Sequence, residues 1–232
     1  MSIREAIKEI IGIVQSYPRD QVEYMKTLSN FAFNRGWYLN HIYLHVINVE
    51  DCIDSTFDAK IVGLIDDDIE GFWDLLNKAS PDRTAIWQEI QCCYEHELYH
   101  SVIHLCFSQA DGMFHEKFGT SLYQKSFSKA KESFGTSMCD ALDHDSLSIH
   151  FKDGSVFKRM YNEVYLEYFN KSTSDLYKNT NKIVERSILL PNRHGVMHGV
   201  HFEYGTKINS YKAISFLQFI LLAVYGEELG FS

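Results

Sequence analysis

The chain has 232 residues, of which 45% are hydrophobic and 23% charged, a composition that is typical of a globular protein and excludes extensive disorder. With only 3 prolines and 13 glycines it has too few turn residues for an all-β fold, so helices are favoured. The formal net charge is −9, with 12 Lys and Arg against 23 Asp and Glu in residues 1–150, and 10 against 8 in residues 151–232. This distribution excludes a long basic stripe for non-specific nucleic-acid binding, but it leaves room for a local basic pocket in the C-terminal third.

The hydrophobic periodicity predicts an all-α chain. In chain order it predicts helices over 3–15, 20–49 with a break at Gly36, 59–78, 80–118 with a break at Gly112, 121–135, 155–170, 181–190 and 209–225. Ser80, Pro81 and Asp82 form a helix start signal, and Gly119 is expected to end the helix that follows. Asn209 and Ser210 are expected to cap the last helix.

We expect two regions, an N-terminal helical part over 1–78 and a C-terminal helical bundle over 79–232. The apolar run over 216–225 is interrupted by Gln218 and is shorter than the roughly 20 residues that a membrane span needs, so it predicts a buried helix. The first residues carry glutamates in a helical period and do not resemble a signal peptide. Five cysteines without a CxxC pair indicate reduced thiols, so a cytoplasmic protein that does not enter a membrane is expected.

A first motif is His96-Glu97-Leu98-Tyr99-His100, on a helix that is predicted to be continuous. A spacing of four places His96 and His100 on one face, where both imidazoles can bind one zinc ion, while Glu97 acts as general base on a metal-bound water. His104 extends the stripe but is poorly placed for tetrahedral coordination. The alternative is a polar helix face that is solvated, lines a cleft or forms a dimer contact.

A second motif is Arg-x4-His, from Arg193 to His198, within the run Leu190-Pro191-Asn192-Arg193-His194-Gly195-Val196-Met197-His198-Gly199. The two glycines weaken a regular helix, so they predict a short helical turn or a helix start. The run continues with Tyr204-Gly205-Thr206, Asn209 and Lys212-Ala213. Tyr204-Gly205-Thr206 predicts a turn with its glycine in a left-handed conformation.

This string resembles the catalytic end of HEPN-domain proteins, an all-helical family named for higher eukaryotes and prokaryotes nucleotide-binding. It is similar to the subgroup that reads N-R-H-x-x-x-H-G, then Y-G-T, then N-x-x-K-A, and Gln109-Ala110-Asp111-Gly112 resembles a segment on a preceding core helix of such proteins. The resemblance covers about residues 85–226. It implies a HEPN-like helical bundle over 79–232 with an N-terminal helical extension over 1–78.

The resemblance implies a metal-independent endoribonuclease without a cofactor, acting on RNA as a homodimer with a composite site. Cleavage of RNA through its own 2′-hydroxyl needs a base, an acid and a cation for the phosphorane charge, and histidine and arginine are suited to these tasks. His198 is then the base or acid and Arg193 the phosphate clamp, while His194 supplies the second proton-transfer group or orients substrate. Supporting or substrate-binding roles fall to Asn192, Asp111 and Lys212.

The family also implies a role in bacterial stress response or phage defence, as a toxin or antiviral protein with a possible protein regulator or antitoxin. One toxin subgroup has a modified tyrosine two residues after the motif histidine; that position is Val200 here, so this form of regulation is not supported. Two alternatives stay open. One is a non-catalytic HEPN-like module that binds nucleotide, RNA or protein, suggested by the acidic N-terminal part, and the other is a zinc-dependent hydrolase that uses His96, Glu97 and His100.

Overall fold

A computed structural model describes residues 20–39, 43, 47, 56–119, 121–122, 193–225 and 229. The regular secondary structure in these ranges is entirely helical, which confirms the predicted all-α class. The helices are α1 Asp20–Asn34, α2 Phe57–Ala79, a 3-10 turn Pro81–Arg83, α3 Thr84–Glu95, α4 Tyr99–Phe118, α5 Arg193–Met197 and α6 Lys207–Tyr225. The predicted helices over 3–15, 155–170 and 181–190 lie outside the described residues, and so does the predicted helix over 121–135 except for residues 121 and 122, which are not helical.

Helix α1 ends at the glycine that was expected to break it. Gly36 has a φ of +88°, which glycine adopts without steric cost, and the Trp37 amide donates to the Ala32 carbonyl at 3.0 Å. The chain then enters the core, where the Tyr38 amide donates to Ser215 Oγ at 3.2 Å. The segment after α1 is therefore packed against α6, the last of the described helices.

Helix α2 buries one stripe at helical spacing, which explains why its prediction over 59–78 agrees with the structure to within two residues. The stripe consists of large apolar side chains: Phe57, Ile61, Ile65, Ile69, Phe72, Trp73 and Leu76. On another side of α2, Asp66 Oδ1 accepts hydrogen bonds from the phenols of Tyr94 and Tyr211, both at 2.5 Å. Burial raises the pKa of Tyr94 to about 12, so this phenol stays protonated and ties α2 to α3.

The helix that was expected to run from Ser80 to Phe118 is divided in two. Pro81 opens a 3-10 turn, α3 ends at Glu95, and α4 begins at Tyr99. The predicted break at Gly112 is wrong, because α4 continues through it. The predicted end at Gly119 is confirmed, since this residue is left-handed with a φ of +68° and its amide donates to the His115 carbonyl at 2.8 Å.

Helix α6 is the centre of the core, as its apolar sequence predicted. Every residue from 210 to 221 is buried, and the helix packs against α4 and α2. One hydrophobic core includes side chains of α1 and α2 as well as of α3, α4 and α6, so the described parts of both predicted regions share it. The domain boundary at 78/79 stays a prediction. Among the described helices, none is long and apolar enough to cross a membrane.

Candidate functional site

The Arg-x4-His motif forms helix α5 and the turn that ends it. Gly199, with a φ of +67°, stops the helix, because its amide donates to the Val196 carbonyl at 3.1 Å and the Val200 amide donates to the Gly195 carbonyl at 3.0 Å. This pair of bonds is the Schellman arrangement, which favours glycine at the left-handed position. The short helical turn that the two glycines predicted is therefore confirmed.

The two main motif residues lie at opposite ends of this short helix. Arg193 is half-buried at its first residue, and His198 is exposed directly after its last. Helix α5 packs against α4, so both residues are anchored to the core. Asn192 and the side chain of His194 lie outside the part of the chain that the structure describes, and their predicted roles stay predictions.

The chain folds back over α5 as soon as it leaves the motif. Gly195 is buried inside the helix, and a Cβ atom there would lie 2.7 Å from Cγ of His201. Real Cβ atoms do not approach so closely, hence glycine at this position makes room for the imidazole of the returning chain. We call residues 200–206, which connect α5 to α6, the strap.

The strap contacts the start of α4 through the side chain of His100. Its Nε2 donates to the Phe202 carbonyl at 3.0 Å, and its ring meets the Tyr204 ring edge-on with centroids 4.9 Å apart. A Cβ atom on Gly205 would overlap this imidazole. The expected left-handed conformation of Gly205 is wrong: the described glycines with positive φ are Gly36, Gly119 and Gly199. Glycine is required here for space, not for backbone conformation.

The end of the strap caps helix α6. The Asn209 amide donates to Thr206 Oγ1 at 3.2 Å, and Asn209 Nδ2 donates to the Tyr204 carbonyl at 3.0 Å. Thr206 is thus the N-cap, and the predicted cap at Asn209 and Ser210 is wrong by one turn. Sequence reasoning missed this role, although a threonine before an apolar helix is an N-cap signal.

The helix that was expected to carry His96 and His100 on one face is interrupted between them. Glu97 is left-handed with a φ of +58°, and the Leu98 amide closes the end of α3 by donating to the Cys93 carbonyl at 2.8 Å. A spacing of four places two side chains on one face only where the helix is continuous, so this argument for zinc fails. In the described ranges, no three His, Cys, Asp or Glu side chains lie close enough together to hold a metal ion.

A cleft of about 560 Å³ lies between α3, α4 and the strap. It is lined by two turns of each helix and by one strap residue: Glu89, Cys92, Cys93, His100, Ser101, His104, Leu105 and Tyr204. His100 and His104 thus line a cleft, one of the alternatives for this histidine stripe. Burial raises the pKa of Tyr204, so its phenol is neutral. Sequence reasoning missed Glu89 and Ser101, because neither belongs to a motif and the cleft forms only once α3 and α4 have packed together.

The Asp111 carboxylate is hydrogen-bonded to the chain segment that follows α4. Its Oδ1 accepts hydrogen bonds from the Leu122 amide and from Ser121 Oγ, both at 2.7 Å. Its Oδ2 accepts a longer bond of 3.0 Å from the same hydroxyl. The carboxylate that was expected to support the motif therefore accepts hydrogen bonds from the segment that follows α4 instead.

The other members of the Gln109–Gly112 segment also have structural contacts. Arg83 reaches across α4, donating to Gln109 Oε1 at 2.7 Å and to Glu116 Oε2 at 3.0 Å. A Cβ atom on Gly112 would lie 2.8 Å from this guanidinium, so the glycine lets the arginine lie against the helix. This contact explains why position 112 is a glycine, although the helix does not break there.

Lys212 is buried, with Nζ 5.6 Å from the centre of the Trp37 ring, whose Nε1 donates to Asp58 Oδ1 at 2.9 Å. Burial lowers the pKa of this lysine, and the Asp58 carboxylate opposes the shift. This placement does not favour the phosphate-binding role that was predicted for it.

Replacing Asp111 by alanine is expected to lower the free energy of unfolding by about 1–3 kcal/mol, since it removes the hydrogen bonds from Ser121 Oγ and the Leu122 amide. Asp111→Asn retains one acceptor oxygen and is expected to cost less. Urea unfolding of both variants measures this, with Asp74→Ala on the exposed surface of α2 as control. If Asp111→Ala unfolds like the parent protein but does not bind RNA, Asp111 is a substrate residue instead.

No protein-family model, curated protein or solved structure matches the chain. The HEPN resemblance therefore rests on the quoted residues alone.

Proposed function

We propose that this protein is a metal-independent endoribonuclease of the HEPN type. The observation that carries the proposal is the geometry of the Arg-x4-His motif: a half-buried Arg193 and an exposed His198 at the two ends of a short helix that is anchored to the core. An anchored arginine is suited to hold a phosphate, and an accessible imidazole is suited to exchange protons with substrate. The string of residues that follows supports the family assignment.

The reaction uses the 2′-hydroxyl of the RNA as the nucleophile. His198 takes the proton of this hydroxyl or donates one to the departing 5′-oxygen, and Arg193 stabilises the charge on the phosphorane. A second proton-transfer group completes the cycle, and His194 is the proposed one. The products are a 2′,3′-cyclic phosphate and a 5′-hydroxyl.

We further propose that two copies of the chain form the active unit. Three large apolar side chains are more than half exposed in the described residues: Leu98 at 52%, Val200 at 55% and Phe202 at 75%. Val200 and Phe202 lie on the strap directly after His198, and the Phe202 carbonyl is bonded to His100, two residues from Leu98. Apolar side chains of this size beside a motif are typical of an interface, which supports the composite site.

By the same resemblance, the protein belongs to cytoplasmic toxin or phage-defence systems, in which a protein regulator or antitoxin is a possible partner. This part of the proposal rests on family analogy, since fold alone does not fix biological role.

Purified protein is expected to cleave RNA in excess EDTA, leaving 2′,3′-cyclic phosphate and 5′-hydroxyl ends. Mass spectrometry of the fragments identifies these ends, and the Arg193→Ala/His198→Ala double variant, purified in parallel, controls for a contaminating nuclease. Loss of cleavage in EDTA together with stoichiometric zinc would favour the zinc hydrolase instead. RNA binding without cleavage in any buffer would favour the non-catalytic binding module.

A further inference from the structure

We propose that the cleft between α3, α4 and the strap is a nucleobase pocket and that it selects guanine. The inference deepens the proposed ribonuclease function, because it names the part of the RNA that the cleft recognises. Nucleobase binding, however, is a property of the cleft itself and is measured without any cleavage.

The cleft and the motif are connected by a very short piece of chain. Phe202 is the fourth residue after His198, so their Cα atoms lie at most about 14 Å apart. The Phe202 carbonyl accepts a hydrogen bond from His100, whose side chain lines the cleft. One oligonucleotide can therefore occupy both the motif and the cleft.

The charge of the cleft indicates that it binds the base of a nucleotide rather than the phosphate. Among the described residues that line the cleft, Glu89 is the one acidic residue, and there is no lysine or arginine. A carboxylate repels a phosphate, whereas Arg193 on the neighbouring α5 attracts it. An RNA strand that places its phosphate at α5 thus turns its base towards the cleft.

The chemistry of the lining favours guanine over the other bases. An ionised carboxylate is an acceptor only, with two oxygens side by side. Guanine presents two adjacent donors on its Watson–Crick edge, N1–H and the 2-amino group, so a single carboxylate can accept from both. The corresponding edges of adenine, cytosine and uracil place an acceptor beside their donor, and that acceptor would face the carboxylate of Glu89.

The remaining lining offers surface that a heterocycle can contact. Tyr204 and His100 supply aromatic surface, and Cys93 and Leu105 supply apolar surface. Because Nε2 of His100 donates to the Phe202 carbonyl, Nδ1 is the other ring nitrogen that can make a hydrogen bond. The volume of about 560 Å³ lies in the range of roughly 300–1,000 Å³ that is typical of clefts for small molecules.

Isothermal titration calorimetry with GMP, AMP, CMP and UMP tests the pocket directly. GMP is expected to bind most tightly, and Glu89→Gln is expected to weaken GMP by about 10- to 100-fold, because the amide replaces one acceptor oxygen by a donor. Glu70→Gln, on the exposed surface of α2, is the matched control and should leave binding unchanged. Equal affinity for all four nucleotides, or no binding, overturns the proposal.

Cleavage of oligonucleotides that differ at a single base separates this proposal from the proposed function. Preferred cleavage next to guanine that Glu89→Gln abolishes supports both. GMP selectivity in a protein that cuts no RNA supports the pocket and contradicts the ribonuclease. Cleavage that is indifferent to base, in a protein without GMP selectivity, supports the ribonuclease and overturns the pocket.

Discussion

Replacing His198 by glutamine is expected to lower the rate of RNA cleavage by about 10²- to 10⁴-fold, since glutamine keeps a polar side chain but cannot transfer a proton. The free energy of unfolding is expected to change by less than about 1 kcal/mol, because the side chain is exposed at the end of α5. Single-turnover cleavage and urea unfolding of the same preparation measure the two effects. Arg193→Lys is expected to lower cleavage as well, because an ammonium lacks the planar pair of donors.

His115→Gln is the matched control for this experiment. His115 is exposed on the last turn of α4, so its replacement should leave both cleavage and stability unchanged. If His198→Gln and Arg193→Lys cut RNA as fast as the parent protein, the motif is not the catalytic site and the proposed function fails.

Replacing Gly205 by alanine is expected to displace the His100 ring and loosen the strap, because the new methyl group overlaps the imidazole. The lost hydrogen bond to Phe202 and the forced repacking are expected to lower the free energy of unfolding by about 1–3 kcal/mol. A shift of about 1 Å in the chain that follows His198 is expected to lower cleavage by about 10²-fold. Urea unfolding and single-turnover cleavage provide the measurements.

A double-mutant cycle with His100→Ala identifies the source of this effect. Gly205 is not left-handed, so alanine there has no backbone strain, and it should be nearly neutral once the His100 ring is gone. Gly63→Ala is the control, since a Cβ atom there has no neighbour within 4 Å and lies on the exposed side of α2. An equal loss of stability from Gly205→Ala with and without the imidazole would refute the steric explanation.

The helices that the sequence predicts well are those whose ends have local causes. The ends at Gly36 and Gly119 follow from the ability of glycine to adopt a positive φ, and the extent of α2 follows from its own apolar stripe. Such signals lie within a few residues of the feature that they predict. They need no knowledge of how the chain packs.

The break between α3 and α4 had no comparable signal. Glu97 occupies a left-handed position that disfavours residues with a Cβ atom, and only the closure of the helix end around it reveals this. Gly112 and Gly205 were misinterpreted for a related reason. Their neighbours, Arg83 and His100, come from distant parts of the chain, so the space that each glycine provides is visible only after folding.

The candidate site was predictable in part. The short helix with Arg193 and His198 follows from the motif and its glycines, whereas the environments of Asp111 and Lys212 depend on tertiary contacts. Where a carboxylate or ammonium that is near a motif in sequence lies in the folded protein, and what it contacts, is decided only when the helices pack. The cleft is likewise a tertiary feature, because it needs the strap to close one side.

The central position of α6 has a consequence for how the chain reaches this structure. Its contacts close very long loops: Tyr38 and Ser215 are 177 positions apart in the sequence, and Asp66 and Tyr211 are 145 positions apart. Loop closure over such distances has an entropic cost before any contact compensates it, so folding is slow relative to a bundle of sequential hairpins. Until those partners arrive, the buried run from 210 to 221 is accessible to other chains, and aggregation competes with folding at high protein concentration.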